Sequence, residues 1–319
     1  MTGAYKDARV IVTGGAGVIG RELIGLLSGA GATVMCVDLK PRPEGMSAAI
    51  EYAEGDAVEL SPSQVATFAP THCFHLAATF ERTTETEGFW GENYHHNVVL
   101  SHHMATLMRG APSIRRYVFA SSYLAYDPAL YVFDAPQDAP TVLVEHTPIR
   151  PRNLCGGAKL MHEGELTFLA EFSGTPFTSV SARIFRVYGR GSGDIVSRWV
   201  RALTVEPQTT LEAFLTEGMF DYVYAGDVAE GLLRLGASDA TGIVNLGSGR
   251  ARRVSELIEI LERRFPGARW AQRSEDVGYE AHEARLDRLV EVTGWRPPTT
   301  LERGVDIVAD YEAAAVSSS

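Results

Sequence analysis

In its first half the chain alternates short apolar runs with longer stretches of helical character. The runs ARVIVTG (8–14), ATVMCVD (32–38), HCFHLAA (72–78), RRYVFASS (115–122) and FTSVSARIF (177–185) read as buried strands. Segments 18–29, 93–109 and 157–172 between them read as helices. Strands alternating with helices predict an α/β fold with a parallel, doubly wound sheet, because parallel neighbours need crossover connections and those helices cover both faces.

After about residue 186 the pattern loosens into Gly- and Pro-punctuated pieces. A strand returns at GIVNLG (242–247), a helix at 254–265, and two short helical pieces flank GWRPPTTLERG (294–304). Residues 1–185 are therefore expected to form one domain, joined by elements returning near 220–247. Residues 186–319 are expected to form mainly a smaller α/β lobe on the end of the sheet. The tail EAAAVSSS is expected to fray.

Composition narrows the function classes. With 319 residues, 45% apolar and 22% charged, the chain suits a soluble globular protein. No run approaches the roughly 20 apolar residues of a spanning helix. The N-terminus enters a strand pattern too soon for a signal peptide, so a cytoplasmic protein is expected. A net charge of -11 without a basic block argues against nucleic acid as a partner. The three cysteines, Cys36, Cys73 and Cys155, show no metal or redox spacing. Cys36 and Cys73 lie in apolar runs and read as buried structural thiols. His95, His96, His102 and His103 could share a helix face, but no carboxylate in the sequence pattern completes a ligand set, so no metal is expected. His72 and His75 read as strand-end and core residues.

The stretch VIVTGGAGVIGRELIGLL places Gly14, Gly17 and Gly20 between a strand and a helix. Glycines there permit a tight turn and close backbone approach, and the helix N-terminus offers free N–H groups to a pyrophosphate. That is the Rossmann-type dinucleotide site. Asp38 ends the second strand, placed to accept hydrogen bonds from ribose hydroxyls and to repel a 2′-phosphate, which favours NAD; Lys40 and Arg42 close behind keep NADP as the alternative. Asp56 is read at the end of the third strand, either facing the adenine or solvated in a loop.

These residues resemble the extended short-chain dehydrogenase/reductase family of NAD-dependent nucleotide-sugar epimerases and dehydratases, over nearly the whole chain. TGGAGVIG resembles the family's glycine motif, HLAA (75–78) the motif after the fourth strand, and Asn97 in NVVL the following helix. FASSYLAY (119–126), EHTPIRPRN (145–153), FDYVYAGDVAEG (220–231), NLGSG (245–249) and GWRPPTTLERG resemble the later landmarks. The resemblance implies a cofactor site including Gly14, Gly17, Val18, Ile19, Asp38, Asp56, Ala77 and Lys159. It implies Ser122 as the hydroxyl that binds the substrate oxygen, with Tyr126 four residues on as a structural tyrosine. It implies Lys159, one of three lysines in the chain, as the lysine of the family's Tyr-x-x-x-Lys motif. It also implies a homodimer, because the helix carrying the histidines often packs between subunits in this family.

The departures are equally specific. The tyrosine position of that motif holds Cys155 in NLCGGAKLMHE. A thiol has a reference pKa near 8.5 against about 10 for a phenol, and a neighbouring ammonium lowers it, so acidity suits a base. Reach does not, since sulfur stays close to its own backbone unless a water or a backbone shift bridges the gap. Tyr123, next to Ser122, is either a relocated acid/base or a packed aromatic. Where the family has an Arg gripping the diphosphate, Phe220 precedes Asp221, and where it often has Asn in RxFNVYG, Arg186 stands in RIFRVYG. Arg186 either takes over an anionic group or pairs with a carboxylate. Arg273 resembles a second phosphate-binding Arg, or is a surface residue.

The expected activity is NAD-dependent oxidation and reduction of a nucleotide-activated sugar, with an epimerase, dehydratase or ketoreductase outcome. The alternatives are a non-catalytic NAD-binding protein and a redox enzyme whose substrate lacks a diphosphate.

Overall fold

The structure, a computed structural model, describes residues 3–79, 86–172, 174–273 and 278–317. Its main sheet has seven parallel strands: β1 (Arg9–Thr13), β2 (Thr33–Asp38), β3 (Glu51–Glu54), β4 (His72–His75), β5 (Arg116–Ser122), β6 (Thr178–Ile184) and β7 (Gly242–Leu246). The described helices are α1 (Val18–Gly29), α2 (Pro62–Phe68), α3 (Glu87–Asn93), α4 (Leu100–Arg109), α5 (Leu154–Glu171), α6 (Ile195–Val205), α7 (Ala225–Ala237), α8 (Val254–Arg264), α9 (Asp287–Thr293) and α10 (Leu301–Ser317).

The continuous apolar runs form strands because both faces of the sheet are covered. Along β1, Val10 and Val12 enter one core and Ile11 the other; along β2, Val34 and Cys36 oppose Met35 and Val37. Leu23 and Leu27 of α1 and Leu232 and Leu235 of α7 complete the first core, and Met104 and Met108 of α4 and Leu166 and Leu169 of α5 the second. Each such side chain contributes roughly 1.5–3 kcal/mol on burial, so a period-two run with no polar face stabilises both layers at once. Cys36 and Cys73 belong to these cores, and burial pushes both thiols up, Cys36 to about 12.

The strand order β7-β6-β5-β4-β1-β2-β3 fixes where a ligand can enter. One half of the sheet grows outward from β1 and the other from β4, so the loops leaving the C-terminal ends of those two strands part company. The crevice between them is the binding position of a doubly wound sheet.

Beyond Phe185 the chain builds a third core from α6, α8 and α10, with Trp199, Val200, Leu257, Leu261, Val305 and Val308. Met219–Tyr224 is the central strand of a three-stranded sheet, parallel to Arg186–Tyr188 and antiparallel to Ala251–Arg253.

Three local expectations are corrected. The segment 93–109 is not one regular helix: α3 leads into a π turn, Tyr94–Val99, before α4 begins. The C-terminal piece is not short, and its tail through Ser317 is helical, because Val305, Val308 and Ala309 are buried and Glu312 forms an ion pair with Arg201 at 3.0 Å. Asp56 does not end a strand. Strand β3 stops at Glu54, Gly55 follows at φ 154°, and Asp56 caps the 3₁₀ turn Ala57–Glu59 by accepting from the Val58 N–H. Among the described residues no helix is long and apolar enough to cross a membrane.

Candidate active site

The crevice between β1 and β4 is built by a glycine turn. Gly14 adopts φ 75°, and its N–H donates to the Val37 carbonyl at 2.9 Å. A Cβ on Gly14 would stand 2.7 Å from the Ala77 nitrogen, and one on Gly20 would collide with the Gly14 carbonyl oxygen. Both positions therefore need glycine, one for dihedral and space and the other for space alone. Gly17 sits at the N-terminus of α1, Val18 and Ile19 form its first turn, and the helix begins without a side-chain cap. Its N–H groups stay available to an anion.

Asp38 fastens this turn from β2. Its Oδ2 accepts from the Ala16 N–H at 2.8 Å and its Oδ1 from the Lys40 N–H at 2.9 Å. Gly14, Gly17, Asp38, Asp56 and Ala77 all line one cleft of about 260 Å³. Lys40 lines it as well, whereas Arg42 donates to the Ser47 and Ile50 carbonyls and stacks on Tyr52.

At the C-terminal end of β5, Ser122 Oγ accepts from the Leu124 N–H at 3.2 Å. The turn that follows is locked to the start of α5. Leu124 and Ala125 carbonyls accept from the Arg152 and Arg150 N–H groups at 2.9 and 3.1 Å, and a Cβ on Gly156 would stand 2.6 Å from the Leu124 oxygen. Asn153 caps the helix by accepting from the Gly156 N–H at 2.8 Å. Cys155 thus enters the first turn of α5, buried, against the segment that begins at Ser122.

Lys159 lies one turn farther along the same helix face. It is 7% exposed, with Nζ 4.7 Å from the Phe119 ring centre. Burial lowers its ammonium below the usual range, opposed by Cys155 and Glu163. Glu163, in turn, takes both Arg183 Nε and Nη2 at 3.0 and 2.7 Å and accepts from Ser121 Oγ, tying α5 to β5 and β6.

Tyr123 is buried, with its ring packed between neighbouring aromatics. Its ring stacks on Phe185 at 5.3 Å and 20°, and its hydroxyl donates to Glu280 at 3.4 Å. Burial first, then the Glu280 charge, raises the phenol well above its ordinary value. Tyr126 is buried with its hydroxyl donating to Asn245 at 2.6 Å, a structural tyrosine in this geometry.

The charged groups around Glu280 form a wall against Tyr123. Arg152 Nη1 lies 2.7 Å and Arg186 Nη1 4.0 Å from Glu280 Oε1, and His282 Nε2 lies 3.3 Å from Oε2. Burial alone would raise the Glu280 carboxyl, but His282, Arg186 and Arg152 outweigh it and hold the group far below the usual carboxylate range. Arg186 lies with its guanidinium carbon 4.2 Å from the Phe220 ring centre, and among the described residues its guanidinium donates no hydrogen bond. The lost and gained groups of the sequence motif are therefore stacked on one another. Ahead of Phe220 the chain closes tightly, Gly218 N–H donating to the Leu215 carbonyl at 2.8 Å. Arg273 directly follows an exposed strand pair, 3.2 Å from Glu212. Arg152 and Glu280 escaped sequence reasoning: Arg152 had only its nearness to Cys155 as a signal, and Glu280 had none.

The sequence profile of the NAD dependent epimerase/dehydratase family matches residues 10–247. The chain belongs to that family. It is 26% identical to a UDP-glucose 4-epimerase of Azospirillum brasilense over 321 residues, covering 91% of this chain and 87% of the relative. It is 28% identical to UDP-glucuronic acid decarboxylase 2 of Arabidopsis thaliana over 325 residues, covering 95% and 68%. Among solved structures, MoeE5 in complex with UDP-glucuronic acid and NAD superposes with a TM-score of 0.81 at 25% identity, covering 97% of this chain and all of that one.

As a member of the NAD dependent epimerase/dehydratase family the protein is an enzyme of the short-chain dehydrogenase/reductase type, and its cofactor is NAD. The residues present fit that group: the glycine cradle admits no Cβ, and the carboxylate of Asp38 borders the cleft. One expectation about this family member is corrected. The histidines do meet a carboxylate, because Asp56 Oδ2 stands 2.6 Å from His95 Nε2 and 3.7 Å from His96 Nδ1. His102 turns instead to Glu165, and His103 to the Leu60 carbonyl.

Proposed function

We propose that this enzyme transiently oxidises a carbinol carbon of a nucleotide-activated sugar, with an epimerase outcome as the leading reading. The carrying observation is Arg186, a cation that donates no hydrogen bond among the described residues and lies over Phe220 beside Glu280. Such a guanidinium suits a phosphate oxygen, to which it makes charge-assisted bonds. Residues 186–319 are assigned mainly to binding this substrate, and residues 1–185 with the returning strand β7 to the cofactor.

Bound NAD supplies the hydride acceptor and donor. Gly14, Gly17, Val18 and Ile19 would hold its pyrophosphate, Asp38 and Asp56 with Ala77 its adenosine half, and Lys159 its nicotinamide ribose. Ser122 Oγ orients the substrate oxygen. Cys155 Sγ, in the first turn of α5, takes and returns the carbinol proton through one water, which makes up for the short reach of sulfur. Lys159 provides the fixed positive charge beside this proton path. Tyr123 keeps the wall in shape through Phe185 and Glu280. Arg273 lends a second cation to the substrate from the outer strand pair.

A second reading is favoured by charge. Arg152 and Arg186 are offset by Glu280, so the wall carries one net positive charge, which suits a substrate with a single anionic group rather than a diphosphate. The exposed Trp90, Tyr94, Met161 and Phe168 on α3, the π turn and α5 support a homodimer through this face.

The test is mass spectrometry of ligands retained by the purified protein, followed by 4-epimerisation and NAD-reduction assays with UDP- and dTDP-sugars. Interconversion of a nucleotide sugar supports the proposal. Turnover of sugar phosphates or sugar acids only would favour the second reading, and tight NAD binding without turnover of either class would sink both.

A further inference from the structure

The proton path and the wall around Glu280 leave one cluster unused. We propose that Asp56, His95 and His96 form a divalent transition-metal site at the lip of the cofactor cleft, and that metal bound there opposes NAD. The three side chains are the one group of at least three His, Cys, Asp or Glu residues among the described residues whose ligand atoms converge, all within 4.8 Å of one another.

The carboxylate of Asp56 is divided between two tasks. Its Oδ1 accepts from the Val58 N–H and holds the 3₁₀ turn, while Oδ2 faces both imidazoles. The π turn Tyr94–Val99 is what brings consecutive residues to one target. Its wider turn, closed by i→i+5 bonds, sets the His95 and His96 rings 4.7 Å apart at 86°, edge to face, over the same oxygen.

His96 Nδ1 is withheld from solvent and has no hydrogen-bond partner among the described residues, although it points at a carboxylate oxygen 3.7 Å away. That separation is too long for a hydrogen bond. It is close to the roughly 3.4 Å edge between two ligands of a tetrahedral zinc at about 2.0–2.2 Å from each. The His95 edge, at 2.6 Å, must open, and this ring is free to swing because it is 47% exposed. Two imidazoles and one carboxylate oxygen select Zn²⁺ or Co²⁺ over Mg²⁺ or Ca²⁺, which prefer oxygen alone, and leave a fourth position for water.

Position gives the site its effect. Asp56 and His96 line the same cleft as Gly14, Asp38 and Ala77, whereas His95 stands outside it. A metal held there draws Asp56 Oδ2 and the His96 ring together and places a hydrated cation at the cleft edge. Zinc and NAD then compete for one volume.

The experiment uses the full chain, freed of metal with EDTA and dialysed. Co²⁺ is added while the visible d–d absorption of a tetrahedral site is followed, and NAD is titrated with and without ZnCl₂. At zinc about ten times its own dissociation constant, the apparent Kd for NAD rises about tenfold if binding is mutually exclusive. His95→Gln should abolish the cobalt absorption and the zinc effect while leaving NAD affinity in EDTA unchanged. The proposal is overturned by an absent cobalt signal, by NAD affinity indifferent to zinc, or by an equal zinc effect in His95→Gln, which would place the metal on another group such as a cysteine.

Discussion

The guanidinium of Arg186 rests 4.2 Å above the ring of Phe220, and the Glu280 carboxylate is 4.0 Å away and already held by Arg152. A cation in that position is stabilised by an aromatic face and a loose ion pair, which leaves its N–H groups for a ligand. Arg186→Ala is expected to lower kcat/KM roughly ten- to hundred-fold, the equivalent of about 1.5–3 kcal/mol for a charged hydrogen bond. The loss should appear mainly in KM. Arg186→Lys should restore only part of it, because a point charge lacks the planar fork. Steady-state kinetics with whichever substrate the assays identify checks this, and an unchanged KM in Arg186→Ala would remove the residue from substrate binding.

Cys155 and Tyr123 separate by mutation. Cys155→Ala should reduce kcat by about 10²–10⁴ with little change in KM, the range of a lost acid/base group. Tyr123→Phe should keep kcat within about fivefold while costing about 1 kcal/mol of stability, because its hydroxyl is spent on Glu280 and its ring on Phe185. The reverse ranking of kcat in the two variants would move the proton to Tyr123.

Arg183 and Glu163 are each 4% exposed, so neither charge has water to fall back on. Arg183→Ala leaves the Glu163 carboxylate buried without its cation and should destabilise the fold by about 3–5 kcal/mol. Urea unfolding measures the loss. Arg183→Met combined with Glu163→Leu, which removes both charges, should recover most of it. A double variant as unstable as the single one would contradict the assignment to an uncompensated charge.

Acid should weaken the fold through His72. Burial, then Arg116 and Arg115, lower its imidazole to about 4 from an ordinary 6.5. The unfolded chain therefore binds the extra proton first, and stability falls as pH drops from about 6.5 to about 4. The cost reaches roughly 3 kcal/mol at the lower end and is constant below it. His75, pushed down by burial and by His162 and Lys159, adds to the loss. Denaturant midpoints measured from pH 7 to pH 4 should show a shallower decline in His72→Gln than in the parent.

The strands and the cofactor turn were legible in the sequence because their causes are local. Apolar runs with no polar face need two covering layers, and Gly14 and Gly20 sit where a Cβ would strike Ala77 or Gly14 itself. The roles expected of Lys159 and of positions 186 and 220 came from the family resemblance, the last two as departures from its pattern. Glu280 was not, because its strand reaches the site by pairing with Val132–Phe133, a register set by tertiary packing. The meeting of Asp56 with His95 and His96 was hidden for a similar reason. It depends on a π turn, and regular helical spacing throws consecutive residues apart.

Asp38 spends one oxygen on the Ala16 N–H and the other on the Lys40 N–H, so the protein shapes its own glycine turn. The turn is preorganised, and little chain entropy is left for a ligand to remove on arrival. Slow release of the cofactor is the expected consequence.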